Sequence, residues 1–536
     1  MKSEYKASYY QSENQKYIEN TYGKEQWIRV SGHCDMNNAD AAFWCGLVDK
    51  SQCEKVFINH SWDIIKGSGG PGFEGVAGEY LYKRNLLDNG LEPLLYYREF
   101  FGVKPDYVEL AQEFVLLNNL CYDPKKKSLW SVLENGESEE AVRFGDDGVS
   151  ISIKRKFLLK YASAKQMAIL LFFDIRTHLD GKLSDYNLES FESSRKSKDL
   201  FYEIWGDEMN IPDCVYSVLM GKKIIFPPPV ENCGYWPYEK EREYEEFIIG
   251  MDEMGQEIKY SCNPDKLNNY FGKNPDAPMY LTPVFFKKEV LQRYLSKQEL
   301  YEIRDGYLSC QSLWGIEIDN HHKNCIAVYL GDLGRDLPEG EQVYWKSYNI
   351  IGDEELSRVS FLRDFLSIPT ESDMIDHQFQ HDYQEFSIRW KEKYGWEFFV
   401  PLSEADQYNI KQIHIPITDS QPEFDQLVLS LVKVLIDSIN EKELQKQIGE
   451  SESLKGISKL EKWLELQKLD DYTEYIKFLR NLQELRSTGT GHRKGKSYQK
   501  IGREFGIGDS SLIDVFERIL QTADNFILYL KKSFLE

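Results

Sequence analysis

The chain has 536 residues, of which 41% are hydrophobic, and a formal net charge of −23. A chain of this length and apolar content can bury several hydrophobic cores, and we expect three or four domains. The negative charge argues against a surface that attracts phosphate or anionic lipid over its whole area, so any nucleic-acid site must be local.

The start of the chain and its cysteines bear on its location. The first ten residues, MKSEYKASYY, contain no apolar segment after the lysines, and the most apolar run, residues 167–173, is too short to span a membrane. The nine cysteines include no CxxC pair, which is typical of reduced thiols. We therefore predict a cytoplasmic protein with neither a signal peptide nor a transmembrane helix.

Residues 1–220 are predicted to form a mixed α/β region. Apolar residues recur three and four apart over 107–120, which predicts a helix, and alternation over 149–157 predicts a strand. The run AKQMAILLFF, residues 164–173, has a pattern that favours a helix.

Residues 221–278 are predicted to be an irregular linker region. They contain Pro227, Pro228 and Pro229, the charged run EKEREYEE and the stretch NPDKLNNYFGKNPDAP. These features exclude regular buried elements over much of the segment. We therefore expect a domain boundary within it.

Residues 279–420 are predicted to form a β-rich domain with inserted helices. Runs of β-branched and aromatic residues alternate there with turn residues, and SLWGIEI, DNHHKN and CIAVYL together have the signature of a β-hairpin. Residues 319–322 (Asp-Asn-His-His) would form the turn of that hairpin. Residues 331–334 (Gly-Asp-Leu-Gly) are predicted to form a second turn.

Residues 421–536 are predicted to form an all-α bundle of four helices, because apolar residues recur there at helical spacing in four stripes. The stripes comprise Phe424, Val428, Leu431, Leu435 and Ile439; Ile457, Leu460 and Leu464; Tyr475, Ile476, Leu479 and Leu482; and Leu512, Phe516, Ile519, Ala523, Phe526, Ile527 and Leu530. The whole chain is thus assigned to the α+β multidomain class, with a mixed N-terminal region, a β-rich middle domain and a C-terminal four-helix bundle.

A basic segment, residues 480–503, connects the third and fourth predicted helices. It has one acidic side chain, Glu484, and seven basic ones, which are Arg480, Arg486, Arg493, Lys494, Lys496, Lys500 and Arg503. Because phosphate contacts supply most of the sequence-independent affinity for nucleic acids, this segment is the candidate RNA-binding site of an otherwise acidic chain. The alternative is a solvated loop that balances neighbouring acidic surface.

Arg486 and His492 within this segment are candidates for catalysis. A histidine that titrates near neutral pH can move the proton of a ribose 2′-hydroxyl group. An arginine can stabilise the negative charge on the phosphorane that then forms. The two residues together could cleave RNA without a metal ion or another cofactor.

An arginine and a histidine at this spacing, within a four-helix bundle, resemble the Arg-x4–6-His motif of the HEPN superfamily. Active members of that superfamily are metal-independent endoribonucleases of toxin–antitoxin, abortive-infection and CRISPR-associated systems. The resemblance covers residues 421–536 and implies that Arg486 and His492 are the catalytic pair of a homodimer or higher oligomer. The chain departs from the family at Ser487, where members commonly carry Asn, Asp or His, and Gly489 and Gly491 predict a loop between the motif residues.

The resemblance also implies a biological setting. It suggests a toxin of bacterial anti-phage defence, which hydrolyses tRNA or mRNA and causes abortive infection. Residues 1–420 would then regulate the nuclease, with a phage-derived molecule as the trigger. The competing hypothesis is a non-catalytic sensor or scaffold, which binds RNA or protein and dimerises through the helical bundle.

A metal site on one helix is the third hypothesis. His377, His381 and Glu385 lie four residues apart in DHQFQHDYQEF and would share one face of a helix, where they could bind a divalent metal. The exposed polar face of an ordinary helix explains the same spacing.

Overall fold

A computed structural model describes residues 2–58, 70–76, 78–84, 87, 90–209, 214–269, 271–352, 355–403, 406, 408–449, 454–489 and 494–536. The chain divides into two compact units, one of Met1–Leu133 with Glu137–Glu241 and one of Glu134–Gly136 with Arg242–Glu536. The division after Glu241 falls within the predicted linker region, 221–278. The predicted order of a mixed α/β region, a β-rich middle region and a helical C-terminal region is confirmed.

The first unit is built around an antiparallel sheet of 11 strands. Its helices are α1 (Lys2–Tyr9), α2 (Ser12–Asn20), α3 (Cys53–Ile58), α4 (Gln112–Leu117), α5 (Arg155–Lys165) and α6 (Leu183–Tyr186). Its strands are β1 (Trp27–Met36), β2 (Ala39–Asp49), β3 (Gly72–Val76), β4 (Glu79–Lys83), β5 (Leu91–Pro93), β6 (Leu95–Arg98), β7 (Tyr107–Leu110), β8 (Cys121–Asp123), β9 (Ser128–Val132), β10 (Ser138–Phe144), β11 (Ile151–Lys154), β12 (Met167–Asp180), β13 (Phe191–Lys196), β14 (Leu200–Glu208) and β15 (Cys214–Ile225). The strand order is β13-β14-β15-β12-β2-β1-β11-β10-β9-β8, and β5 pairs with β2.

Strand β12 shows why the helix prediction for residues 164–173 was wrong. This strand lies between β2 and β15 in the sheet. Leu171 and Phe173 belong to the core on one face of the sheet, whereas Leu170 and Phe172 belong to the core on the other face. A strand that is covered on both faces is a continuous apolar run, which periodicity cannot distinguish from a buried helix.

Two further predictions for this unit are confirmed in part. The strand expected over residues 149–157 is present over Ile151–Lys154, as β11, because α5 begins at Arg155. The helix expected over residues 107–120 is only partly present, because β7 precedes the short helix α4 there.

The second unit combines three small sheets with a helical region. Its strands are β16 (Glu246–Met251), β17 (Glu257–Ser261), β18 (Pro283–Lys287), β19 (Tyr301–Arg304), β20 (Tyr307–Cys310), β21 (Trp314–Glu317), β22 (Cys325–Tyr329) and β23 (Asn349–Ile350). Its helices are α7 (Gln292–Leu295), α8 (Leu330–Asp336), α9 (Glu339–Lys346), α10 (Arg358–Asp364), α11 (Ile375–Tyr394), α12 (Tyr408–Lys411), α13 (Gln421–Val432), α14 (Glu441–Ile448), α15 (Ile457–Leu466), α16 (Tyr472–Gly489), α17 (Lys496–Glu504) and α18 (Leu512–Phe534). The sheets are β16-β17, β22-β18-β23 and β19-β20-β21, so a hairpin lies within residues 221–278.

The strands on either side of DNHHKN do not form the expected hairpin. β21 pairs with β20, and β22 pairs with β18. Among the described residues, the one β-bridge across DNHHKN joins Asp319, its first residue, to Ala327. DNHHKN is therefore a loop between two sheets.

Residues 331–334 are not a turn, because they lie in α8. Their glycines allow close packing instead. A Cβ atom on Gly331 would overlap the ring of Tyr280, and one on Gly334 would overlap the backbone carbonyl oxygen of Cys262.

The helical region has a larger core than the one predicted for residues 421–536. The four predicted stripes lie on α13, α15, α16 and α18, and a π-helical turn, Lys433–Asp437, continues α13. Phe379, Phe386 and Trp390 of α11 are buried in the same core. Among the described residues of 421–536, α14 and α17 bring the number of α-helices to six. The predicted basic loop thus contains α17.

Among the described residues, no helix combines the length and the apolar content that crossing a membrane requires.

Candidate functional site

Arg486 lies in the last turn of α16, where a carboxylate holds its guanidinium group. One terminal nitrogen of Arg486 lies 3.0 Å from Oδ2 of Asp437, the last residue of the π-helical turn. Both side chains are partly exposed, at 32% for Arg486 and 41% for Asp437. The contact therefore orients the guanidinium group without removing it from solvent.

The predicted catalytic partner of Arg486 falls outside the described residues. His492 and Arg493 belong to residues 490–493, which lie between α16 and α17 in the sequence. The nearest described residues on either side are Gly489, the last residue of α16, and Lys494, which lies two residues before the start of α17. Gly489 is helical, so the glycine-rich loop predicted between the motif residues does not begin there.

Two of the predicted RNA-binding side chains are paired with acids on neighbouring helices. Arg480 forms an ion pair with Glu461 of α15. Lys494 forms one with Asp425 of α13, at 2.6 Å. For Arg480 and Lys494, the alternative hypothesis therefore holds: these side chains balance neighbouring acidic surface.

The remaining described cations of the segment lie on one face of α17. Lys496, Lys500 and Arg503 are four and three residues apart, so they share a face of the helix, and all three are exposed. Tyr498 and Ile501 are buried on the opposite face. In the part of the chain that the structure describes, none of the three cations has an acidic partner. We call Lys496, Lys500 and Arg503 the basic face of α17.

The three residues of the predicted metal site lie on α11 but do not converge. Eight residues of α-helix rise about 12 Å, which places His377 and Glu385 too far apart for one ion. Glu385 is paired with Arg389 and Lys531, and His381 is exposed. His377 faces a different set of charged side chains, which comes from the β-rich region.

His321 is the centre of that set. It lies in the loop after β21, and its side chain is 2% exposed. Its Nε2 lies 2.6 Å from Oδ1 of Asp305, and its Nδ1 lies 3.1 Å from Oδ1 of Asp319. Burial opposes a charge on the ring, but the hydrogen bonds to the two carboxylates outweigh it and raise the pKa of His321 to about 9. The ring is therefore an imidazolium between two carboxylates at neutral pH.

Both carboxylates are held in the ionised form. Arg363 donates hydrogen bonds of 2.9 and 2.8 Å to the two oxygens of Asp305. The backbone N–H of Ser357 donates one of 2.8 Å to Asp319. Burial opposes the negative charges, but hydrogen bonds, first among them those from His321, hold the pKa of each carboxyl group well below its usual range.

His377 adds a second imidazole ring. It packs edge-on against the ring of His321, with the centroids 5.8 Å apart, and its Nδ1 lies 3.8 Å from Oδ1 of Asp305. The hydroxyl oxygen of Ser372 lies 2.9 Å from the same nitrogen. Because burial lowers the pKa of His377, its ring is neutral at neutral pH.

Asp305, His321 and His377 come from three separate segments, namely the turn after β19, the loop after β21 and the first turn of α11. One potential ligand atom from each residue lies within 4.8 Å of the other two. Asp305 also lines a cavity of about 310 Å³, together with Asp319 and Arg363. The sequence shows parts of this cluster in two separate places, namely the acid beside two histidines in DNHHKN, which predicts a turn, and His377 in the histidine spacing of α11.

No protein-family model, curated protein or solved structure matches the chain. The resemblance of residues 421–536 to the HEPN superfamily therefore stays a prediction that rests on Arg486, His492 and their helical context.

Proposed function

We propose that the protein is a metal-independent endoribonuclease of the HEPN type, with Arg486 and His492 as its catalytic residues. The observation that carries the proposal is the basic face of α17. In a chain of net charge −23, three exposed cations without acidic partners among the described residues follow His492 closely in sequence. An RNA phosphate backbone is the polyanion that such a face binds.

The proposed chemistry divides between the two residues. His492 would accept the proton of a ribose 2′-hydroxyl group, which then attacks the adjacent phosphorus and expels the 5′-oxygen of the next nucleotide. Arg486 would bind the phosphate oxygens and stabilise their charge as the phosphorane forms. A guanidinium group has five N–H donors, so an arginine that is bound to Asp437 can also bind a phosphate.

The setting of the proposal follows from the chain's proportions. Arg486 and His492 lie within residues 421–536, which share one core with α11, so the rest of residues 1–420 would regulate cleavage, with a phage-derived molecule as the trigger. The active form would be a homodimer of four-helix HEPN bundles, and the substrate tRNA or mRNA. Its role would be abortive infection in bacterial anti-phage defence.

The test is RNA cleavage in the presence of EDTA. Purified wild-type protein, Arg486→Ala, His492→Ala and the control His381→Ala would be incubated with tRNA and total RNA. We expect fragments that end in 2′,3′-cyclic phosphate from the wild type and His381→Ala only. Equal cleavage by His492→Ala would contradict the assignment. RNA binding without cleavage by any of the four proteins would favour the competing hypothesis of a non-catalytic scaffold.

A further inference from the structure

The cluster around His321 has the donor set of a transition-metal site. We propose that Asp305, His321 and His377 bind one divalent transition-metal ion, for which Zn²⁺ is the representative. Two imidazole nitrogens and one carboxylate oxygen are typical ligands of Zn²⁺, and of Fe²⁺ in its two-histidine, one-carboxylate sites. This site is independent of the proposed RNA cleavage, which uses no metal.

The present distances require little movement for coordination. Bonds of about 2.0–2.2 Å to a tetrahedral ion place donor atoms about 3.3 Å apart. Oδ1 of Asp305 lies 2.6 Å from Nε2 of His321 and 3.8 Å from Nδ1 of His377. The ligand atoms of His321 and His377 lie within 4.8 Å of each other, so the three separations differ from the value for coordination by at most about 1.5 Å.

The outer contacts of the cluster are those that orient metal ligands. A metal-binding histidine usually donates its other ring N–H group to a carboxylate, which fixes the ring and makes it a stronger ligand. Asp319 is in that position, since its Oδ1 lies 3.1 Å from Nδ1 of His321. Asp319 is itself held by the backbone of Ser357, and Arg363 holds Asp305.

A metal ion would take the place of the proton that lies between Nε2 of His321 and Oδ1 of Asp305, which are 2.6 Å apart. Binding would therefore release a proton, so it should be stronger at higher pH.

The three ligands lie on different segments of the chain, so a bound ion would connect these segments. Asp305 and His321 belong to loops of the β-rich region, whereas His377 begins α11, which is part of the helical core. A bound ion would tie the first turn of α11 to these two loops. Because the three segments are separate in the unfolded chain, binding would stabilise the folded state in proportion to the logarithm of the free metal concentration.

The test is a titration of the full chain, after removal of metal by EDTA dialysis, with Zn²⁺ by calorimetry and with Co²⁺ by absorption spectroscopy. We expect one ion per chain, a melting temperature that rises with free Zn²⁺, and a Co²⁺ spectrum without the charge-transfer bands of cysteine ligands. His377→Gln and Asp305→Asn should weaken binding at least about tenfold. Asp319→Asn, which removes the partner of His321 but no ligand, should weaken it about 10- to 100-fold.

The matched control is His381→Gln, because His381 lies one turn after His377 on the same helix but is exposed. It should bind Zn²⁺ like the wild type. Circular dichroism of each metal-free variant shows whether it is folded, and His377→Gln carries the test if Asp305→Asn unfolds. The absence of a stoichiometric site in the wild type, or equal affinity in His377→Gln, would overturn the proposal. The cluster would then be a hydrogen-bonded ion network alone.

Discussion

Asp437 accepts a hydrogen bond of 3.0 Å from Arg486, and the two residues come from the end of the π-helical turn and the end of α16. Both are partly exposed, so the ion pair contributes little to stability, about 0–1 kcal/mol. Its effect is to restrict where the guanidinium group of Arg486 points. A role in positioning predicts that activity depends on Asp437 while stability does not.

We therefore expect Asp437→Asn to reduce RNA cleavage about 10- to 100-fold, because a catalytic group that moves by about 1 Å loses rate on that scale. RNA affinity should not fall, since a negative charge is removed. The control is Glu461→Gln, which removes the acidic partner of Arg480 and should leave cleavage unchanged. Cleavage by Asp437→Asn at the wild-type rate would show that Arg486 needs no such restraint.

The basic face of α17 predicts a specific salt dependence. If Lys496, Lys500 and Arg503 each neutralise one phosphate, replacing all three by Gln should make the slope of log K against log salt shallower by about 2 for single-stranded RNA. The matched control replaces Lys442, Lys477 and Lys532, which are exposed on other helices of the region. An equal change of slope in both triple variants would mean that net charge alone determines binding.

Asp524 on α18 predicts a pH-dependent stability. Asp524 is 2% exposed, and its Oδ1 has no hydrogen-bond partner among the described residues. Burial is the larger cause, and repulsion from the nearby Asp382 the smaller one, that together raise the pKa of Asp524 to about 6. In the unfolded chain this carboxyl group ionises near its usual pKa of about 3.9, so folding is penalised as the pH rises from there through 6. Asp524→Asn should therefore stabilise the protein by about 3 kcal/mol at pH 8 and by about half of that at pH 5.

Urea unfolding at the two pH values measures this difference. Asp514→Asn is a suitable control, because hydrogen bonds from Ser511 and Lys323 lower the pKa of Asp514. A gain from Asp524→Asn that is independent of pH would contradict the raised pKa.

Gly334 in α8 predicts a large cost for a single methyl group. A Cβ atom there would overlap the carbonyl oxygen of Cys262, so Gly334→Ala should destabilise the protein by about 2–3 kcal/mol. Gly340 in α9 is exposed, with no atom within 4 Å of its added Cβ, so Gly340→Ala should stabilise it by about 0.5–1 kcal/mol. Thermal unfolding of the two variants should show opposite shifts, and a shift of the same sign would refute this account of the packing.

The contribution of α11 to the helical core predicts how fragments behave. A fragment of residues 421–536 lacks Phe379, Phe386 and Trp390, whose partners on α13–α18 would then be exposed. For example, the ring centroid of Trp390 lies 6.1 Å from that of Trp463 and 5.4 Å from that of Phe534. We expect a fragment of residues 370–536 to unfold cooperatively and the shorter one to aggregate or to bind a hydrophobic dye. Cooperative unfolding of both at one temperature would show that α11 is dispensable.

The predictions from sequence succeeded where one local pattern was sufficient. Leu460 and Leu464 recur at helical spacing because one face of α15 is buried and the other is exposed to solvent. Helices α16 and α18 also have one buried and one exposed face. The pattern failed for β12, since a strand that is buried on both faces has no polar side to mark its period. It also failed at Gly334, where the reason for glycine is a neighbour far away in the sequence.

The two candidate sites differ in how far the sequence could reveal them. Arg486 and the basic face of α17 lie within a single short segment, so their concentration of charge is visible without a structure. Asp305, His321 and His377 are brought together only by the packing of two loops against α11. No spacing rule links them, and the spacing within α11 groups His377 with His381 and Glu385 rather than with Asp305 and His321.

The π-helical turn at residues 433–437 has the form of a one-residue insertion at the end of α13, because each of its hydrogen bonds spans one residue more than in an α-helix. The turn takes up this extra residue, so the residues after it keep the direction they would have in an α-helix that is one residue shorter. If the same five residues were α-helical, Asp437 would be rotated by about 100°. It would then turn away from Arg486, although neither residue had been replaced. The direction of the arginine side chain thus depends on the π-helical form of this turn.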